Sequence, residues 1–510
     1  MIDLRDLREN PDKYRRGCEL KGMKVDIDRL IALDGRRRAL QSEQESLRAQ
    51  QRGIEKDLGP QIGKLASALK KAPDAEKPAL ERELDGLKAR PAALKDKIQA
   101  LDPQIAAIEP ELNDILLTVP LPPDPDVPVG KGGDDNVEIR RWHPPAKQEE
   151  GPWGFDTNKT YEQNRGFRPK THLELVRDLG LADFERGVKM AGARSYLLTG
   201  DGFLLHNAVL RYAFDFMTLT QGFKAMSVPV LVREECMVGT GFFPAGREQA
   251  YHVPEGSPGG TALQSGASPA ATGLETSATK SNDLFLTGTG EVGLMGLHQG
   301  EILDEAQLPL KYTTVSTCFR REAGAAGKDT AGLYRIHQFD KVEQVVICRA
   351  DEAESRAWHK KMIGYVEEIL QSLGLPYRLL QCCTGDLGVK NADMIDIESW
   401  MPGRGHPLPE GGGKGEGASS RVVMSGAFGE THSASRLYDY QCRRLNMRYR
   451  EGGAGGGGKG TTTFCHSLNN TVAASPRLLI PILEMWQNAD GTVTVPPVLR
   501  PYMGGKSKIG

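Results

Sequence analysis

Between Ser316 and Gln344 the chain reads STCFRREAGAAGKDTAGLYRIHQFDKVEQ, an Arg-Arg-Glu cluster and a Phe-Asp-Lys-Val-Glu cluster separated by a Gly/Ala-rich run. Alternate residues of an extended strand share a face, so Arg320 and Glu322 are expected to point one way and Arg321 the other. On a returning strand Phe339, Lys341 and Glu343 share a face in the same manner. An arginine, a carboxylate and an aromatic ring on one surface suit a nucleotide, guanidinium to phosphate and ring to base. The same residues also suit an ordinary hairpin with cross-strand ion pairs, and taken alone they leave both readings open.

Three further stretches carry chemistry. FLTGTGEVGLMGLH sets Thr289 and Glu291 two residues apart, a short hydroxyl beside a carboxylate, which suits an ammonium group on a small polar substrate. GETHSASRLYDYQCRRLNMRYR offers Glu430 and Ser433 as hard oxygen ligands of the kind magnesium takes beside phosphates. HSLNNTVAASPRLLIPILEMWQ presents Asn469 and Thr471, then Ser475 as a helix N-cap with Pro476 at the first helical position. That assignment puts Arg477 in the first turn, where its charge joins free N–H groups in an anion site. Pro481 is expected to kink the same helix.

The elements that hold these residues read as follows. At 510 residues the chain is long enough for more than one domain. Its first part repeats apolar residues at heptad spacing, from Leu30 to Leu69 and again from Leu80 to Leu112, around a turn at KKAPDAEKP. This predicts an antiparallel helical hairpin whose arms reach on the order of 60 Å if about forty residues rise 1.5 Å each. Its outward positions carry Arg36, Arg37, Arg38, Arg48, Arg52, Lys56 and Lys64, then Lys70, Lys71, Lys77, Arg82, Lys88, Arg90, Lys95 and Lys97. They form either a solvated face or a basic rod that tracks a phosphate backbone. Pro91, Pro103 and Pro110 are expected to bend or interrupt the second helix.

TVPLPPDPDVPVGKGGDDN, from Thr118 to Asn136, reads as a proline-rich linker. The domains are therefore 1–117, the linker 118–136, and an α+β body over 137–510 built on an antiparallel sheet. Gly-rich surface insertions are expected near 254–282, 403–420 and 452–460. The last contains GGAGGGGKG, which lacks the Ser/Thr after lysine that a phosphate-binding P-loop requires. A net charge of −2 leaves any nucleic-acid contact to a local basic face. The eight cysteines show no Cys-x-x-Cys pair, which argues for reduced thiols and against a zinc site. No signal peptide or membrane span is legible, and the chain is expected to be soluble and cytoplasmic.

Together and in this order, MIDLRDLRENP, the heptad arm, KTHLELVRDLGLADFERGVKMAGAR, GFKAMSVPVLVREECMVGTGFFP, the Arg-Arg-Glu hairpin, ETHSASRLYDYQCRRLNMRYR, HSLNNTVAASPR and DGTVTVPPVLRPYMGG resemble the seryl-tRNA synthetases, class II aminoacyl-tRNA synthetases of bacterial type. The resemblance covers nearly the whole chain. It implies an antiparallel six-stranded sheet with flanking helices behind a coiled-coil arm, working as a homodimer whose interface includes the first motif, Gly222 to Val232 with Pro229. It implies that L-serine is activated by ATP with Mg²⁺, then transferred to tRNA(Ser) and to tRNA(Sec), with the arm lying against the tRNA's long variable arm.

Site roles carry over residue by residue. Arg320 and Arg477 are the implied catalytic arginines, on the α- and γ-phosphates. Thr289, Gly290, Glu291, Arg320, Glu343, Asn469 and Thr471 are implied to bind serine. ATP is implied to meet Arg320, Arg321, Glu322, Arg335, Ile336, Phe339, Glu430, Thr431, His432, Ser433 and Arg477, with Phe339 stacked on adenine and Glu430 and Ser433 holding the metal. The chain departs from the family at four places. Gly288-Thr289-Gly290-Glu291 replaces Pro-Thr-Ala-Glu and is expected to be a floppier loop. Ala331 stands where an arginine is common, Ala434 replaces a cysteine, and Pro481 enters the third-motif helix.

Three other readings compete. A ligase that loads a carrier protein lacks the arm, which is present here. A catalytically silent paralogue acting as an RNA- or protein-binding module predicts loss of Arg320, Glu322 or Arg477, and all three are present. A synthetase for another amino acid disagrees with the joint presence of Thr289, Glu291, Glu343 and Thr471.

Overall fold

The heptad seam folds into two helices, α1 (Ile27–Lys71) and α2 (Lys77–Thr118), in the computed structural model, which describes residues 1–147, 150–254, 283–323, 332–405, 425–452 and 460–510. Seam residues are buried or half-buried along both helices, with Leu30, Leu33, Leu84, Ile98, Leu101, Ile108 and Leu112 inside. Asp26 caps α1 by accepting from the Arg29 backbone N–H, and Arg29 then reaches across to Glu111 with two bonds of 2.7 Å. The prolines do not interrupt α2, contrary to expectation. Pro103 and Pro110 lie on its exposed side, where a carbonyl that loses its partner turns to water while the seam opposite stays packed. Of the arm's outward arginines and lysines all but Arg37 and Lys77 are exposed.

By contacts the chain divides into two units, one of Ile2–Cys18 with Met23–Val119 and one of Met1, Glu19–Gly22 and Pro120–Gly510. The proline-rich stretch read as a linker thus packs mostly with the second unit. Leu121 and Asp124 donate their N–H groups to the carbonyls of Val389 and Ala392, and the Asp124 carboxylate pairs with Arg436.

The second unit is built on a large sheet. Its strands are β1 (Val137–Trp142), β2 (Lys224–Met226), β3 (Leu310–Phe319), β4 (Gln338–Cys348), β5 (Tyr377–Gln381), β6 (Asp393–Met401), β7 (Ala427–Tyr438) and β8 (His466–Ser475). Their order is β1-β5-β6-β7-β8-β4-β3-β2. The expected six antiparallel strands run from β5 to β3, extended by β1, also antiparallel, and by β2, which pairs parallel to β3. Two long helices, α3 (Gly200–Asp215) and α4 (Glu352–Ser372), cover one face. Alternation along β4 sends Val342 and Val346 into the core beneath them, where Met362, Val366, Leu468 and Val472 also lie. Gln344 and Asn470 on that face donate to the Met362 carbonyl, each at 3.0 Å. The other face of β4 and β8 is left for the site. The three Gly-rich insertions and Ala331 lie largely or wholly outside the described residues.

Candidate active site

Phe339, Lys341 and Glu343 line one cavity, the face that strand alternation assigns them. The expectation for the partner strand needs correction, because β3 stops at Phe319 and the Arg-Arg-Glu cluster lies beyond it. Arg320 closes the hairpin instead, its N–H donating to the His337 carbonyl at 2.9 Å, and Glu322 takes a left-handed φ of 51°. That irregular turn brings Arg320 and Glu322 into the cavity, while Arg321 donates its N–H to Gln249 and does not line it. Arg335 holds the Glu322 carboxylate at 2.8 Å, and Ile336 lines the same end.

Bulges set which residues of β7 and β8 face the cavity. On β7 the register slips between the Ile397–His432 and Glu398–Glu430 pairs, so Glu430, Thr431, Ser433 and Ser435 all line it. His432 does not. It is buried with Nδ1 2.9 Å from the Thr431 hydroxyl, and burial drives its imidazole down to about 3. On β8 the slip beside Val342 and Glu343 lets Asn469, Thr471 and Ala474 line the cavity, whereas Ser475 turns away to His206 at 2.8 Å.

Ser475 is therefore the end of a strand and not an N-cap. The third-motif helix, α5 in the body's order after α4, spans Leu479–Met485, and Arg477 lies in the turn before it. Arg477 donates to the carbonyls of Tyr334 (3.2 Å) and Glu430 (3.3 Å), lies over the Tyr334 ring, and has the Glu430 carboxylate 3.6 Å away. Pro481 sits within the first turn of α5, where no intrahelical N–H bond is required of it.

At the opposite end of the cavity the carboxylates are already paired. Glu291 begins a short helix, Glu291–Gly296. Its carboxylate accepts from Lys390 at 2.7 and 2.9 Å, from Gln441 at 2.7 Å and from Asn469 at 2.8 Å. Burial lowers the Lys390 amine below the usual range, with Glu291 opposing the shift. Glu343, 1% exposed, pairs with Lys341, and Lys341 also donates to the Thr289 hydroxyl at 2.8 Å. Gly290 does not line the cavity. A Cβ there would lie 2.6 Å from Thr314 Cγ2 and 2.8 Å from Ser316 Oγ, so Gly290 packs closely against β3.

Lys341, Lys390, Tyr334 and Met394 also line the cavity, Gln441 holds Glu291, and all five escaped the assignment of roles. Lys341 carried a signal, since it shares a strand face with Phe339 and Glu343; Lys390 and Gln441 come from distant segments and carried none. Nearby, Cys382, Asp386 and Asp396 bring ligand atoms within 4.8 Å of one another. Burial, with the Glu430 charge beside it, pushes the Asp396 carboxyl up to about 8.

Comparison with known proteins agrees with this arrangement. Residues 1–123 match the seryl-tRNA synthetase N-terminal domain, and residues 275–485 match the class II tRNA synthetase core domain of the G, H, P, S and T type. A serine–tRNA ligase of Deinococcus radiodurans is 38% identical over 100% of this chain and 99% of its own. One from Dictyoglomus turgidum is 37% identical over 99% of this chain and 98% of its own. Among solved structures, the seryl-tRNA synthetase of Pyrococcus horikoshii complexed with ATP superposes with a TM-score of 0.75 at 33% identity, covering 100% of this chain and 99% of that one. The cytoplasmic serine–tRNA ligase of Naegleria fowleri in complex with AMP gives 0.71 at 28% identity, covering 98% and 95%. From its N-terminal arm to its class II core, the chain belongs to the seryl-tRNA synthetase family.

Proposed function

We propose that the protein activates L-serine with ATP and transfers it to the 3′ end of tRNA(Ser), and also of tRNA(Sec). The observation that carries the reading is one cavity lined by Arg320, Glu322, Phe339, Glu343, Glu430, Ser433, Thr471 and Arg477. Adenine stacks on Phe339 with its amino group at Glu322, beside Arg335 and Ile336. Arg320 meets the α-phosphate and Arg477 the γ-phosphate. Serine's carboxylate attacks the α-phosphorus, the bond to the β-phosphate oxygen breaks, and seryl-adenylate and pyrophosphate result. No protein nucleophile is needed, and the two arginines act by positioning and by neutralising developing charge. The terminal ribose hydroxyl of tRNA then attacks the mixed anhydride and AMP leaves.

Glu291, Glu343, Asn469 and Thr471 form the serine end, which rejects alanine because its polar groups would go unpaired. Magnesium suits the other end: Glu430 and Ser433 are oxygen donors there, and the buried Asp396 Oδ1 beside them has no hydrogen-bond partner. Held there, the ion would supply charge neutralisation on the phosphates. The exposed basic residues of α1 and α2 supply the contact to tRNA backbone. Leu219 and Leu231, exposed around the first motif, suit burial in a homodimer. No described helix is long and apolar enough to cross a membrane, and we place the work in the cytoplasm.

ATP–pyrophosphate exchange with each amino acid in turn tests the reading. Exchange is expected with serine; exchange with another amino acid alone, or with none, sinks it. Removal of residues 30–112 is expected to spare exchange and abolish charging of both tRNAs, and equal loss of the two activities would give the arm another purpose.

A further inference from the structure

The hydroxyl of Thr289 is fully committed. It donates to Glu343 Oε2 at 3.1 Å and accepts from Lys341 Nζ at 2.8 Å and from the Glu291 N–H at 3.3 Å. A hydroxyl has one proton and two lone pairs, so nothing remains for a substrate. Lys341 itself is 5% exposed and pairs with Glu343 through Oε2, the oxygen that Thr289 already uses. No described residue donates to Oε1. Of the cluster Thr289–Lys341–Glu343, one strong acceptor is left open, on a carboxylate whose other oxygen is fixed from two directions.

Resting on the reading of Glu343 as a serine contact, we propose that Lys341 is a positioning residue that determines specificity. It keeps Glu343 a fixed acceptor, turned so that Oε1 takes the hydroxyl proton of serine. The role is distinct from that of Lys390, which pairs with Glu291 from another segment at the same end. Lys341 reaches the site because β4 alternates, its ammonium arriving between Phe339 and Glu343 on one face. Removing it leaves a buried carboxylate without its charge partner and frees the Thr289 hydroxyl to rotate, and both changes blur the discrimination for a hydroxyl.

The test is steady-state ATP–pyrophosphate exchange with wild type, Lys341→Met, Glu343→Gln and the double variant, each checked for folding by thermal unfolding. Lys341→Met is expected to raise the serine KM by about thirtyfold or more, as for truncation of one partner in a buried charge pair, with the ATP KM nearly unchanged. The double variant is expected to be no worse than Glu343→Gln, because Lys341 acts through that carboxylate, and it stays informative if the lone Lys341→Met chain fails to fold. Serine exchange by wild type together with impairment of Glu343→Gln upholds the reading of the site independently. Against that background, an unchanged serine KM in Lys341→Met, parallel rises in both KM values, or losses that add in the double variant overturn the role of Lys341.

Discussion

The two ends of the cavity are built on opposite principles. At the serine end the carboxylates of Glu291 and Glu343 are 4% and 1% exposed and hold counter-ions before any substrate arrives. At the phosphate end the charged groups are loosely held: Arg320 makes a 3.4 Å bond to the Gly288 carbonyl, and the Glu430 side chain, 45% exposed, stands 3.6 Å from Arg477. Under the proposed function the difference follows from what each end would recognise. A serine hydroxyl is a small neutral signal that only fixed, satisfied neighbours can discriminate. A triphosphate brings its own charge, and Arg320, with a weak carbonyl partner, loses little when it turns to it.

The contrast breaks most visibly by emptying the serine end. Glu291→Ala leaves the Lys390 ammonium buried without its carboxylate, strips Asn469 of its acceptor and leaves Gln441 only the Thr240 carbonyl. The expected cost is about 3–5 kcal/mol of folding stability, read as a fall in the denaturation midpoint. At the phosphate end the same kind of truncation acts on rate. Arg320→Ala is expected to lower kcat for exchange by about 10²–10³-fold with the denaturation midpoint nearly unchanged, because its guanidinium makes few bonds in the free protein. A large stability loss in that variant would erase the proposed difference between the ends.

A smaller effect sharpens the packing side. Gly290 has an ordinary φ of −63°, so backbone strain is not the reason for glycine; the reason is Thr314 Cγ2 and Ser316 Oγ behind it. Gly290→Ala is expected to cost about 1–3 kcal/mol by overpacking and to raise the serine KM. Adding Thr314→Ser, which removes the offending methyl, is expected to recover part of both. No recovery would show that the loop is sensitive to something other than that contact.

How far the sequence carried the reading depends on what kind of information each feature needs. The arm was legible because heptad burial is local and periodic, and only the tolerance of α2 for prolines escaped. The face of β4 was legible for the same reason, its alternation surviving up to Glu343. Beyond regular strands local reasoning failed in identifiable ways. Arg320 and Glu322 reach the cavity through a turn with a left-handed Glu322, and the bulges in β7 and β8 shift the phase that decides whether Glu430 or His432 faces inward. Ser475 and Pro476 looked like a helix start because cap chemistry is degenerate, and here Ser475 ends a strand bonded to His206. Lys390 and Gln441 belong to the site by tertiary contact alone, which no spacing encodes.

The smallest expected effect concerns the residue that the β7 bulge turns away. Burial holds the His432 imidazole down to about 3, so the folded chain keeps it neutral where an unfolded chain, with an ordinary imidazole near 6.5, takes up a proton. Between those values the unfolded state binds more protons, so this histidine's contribution to stability is present above about pH 6.5 and is lost as pH falls toward 3. The loss is at most about 1.4 kcal/mol per pH unit in that window. His432→Gln removes the titrating group, and its stability difference from wild type, measured by denaturant unfolding at pH 7 and pH 5, is expected to move in the variant's favour at the lower pH. Were His432 instead to face the phosphates, solvent and ligand would reach it and the difference would not change between the two pH values. The same pair of measurements therefore reports which side of β7 belongs to the site.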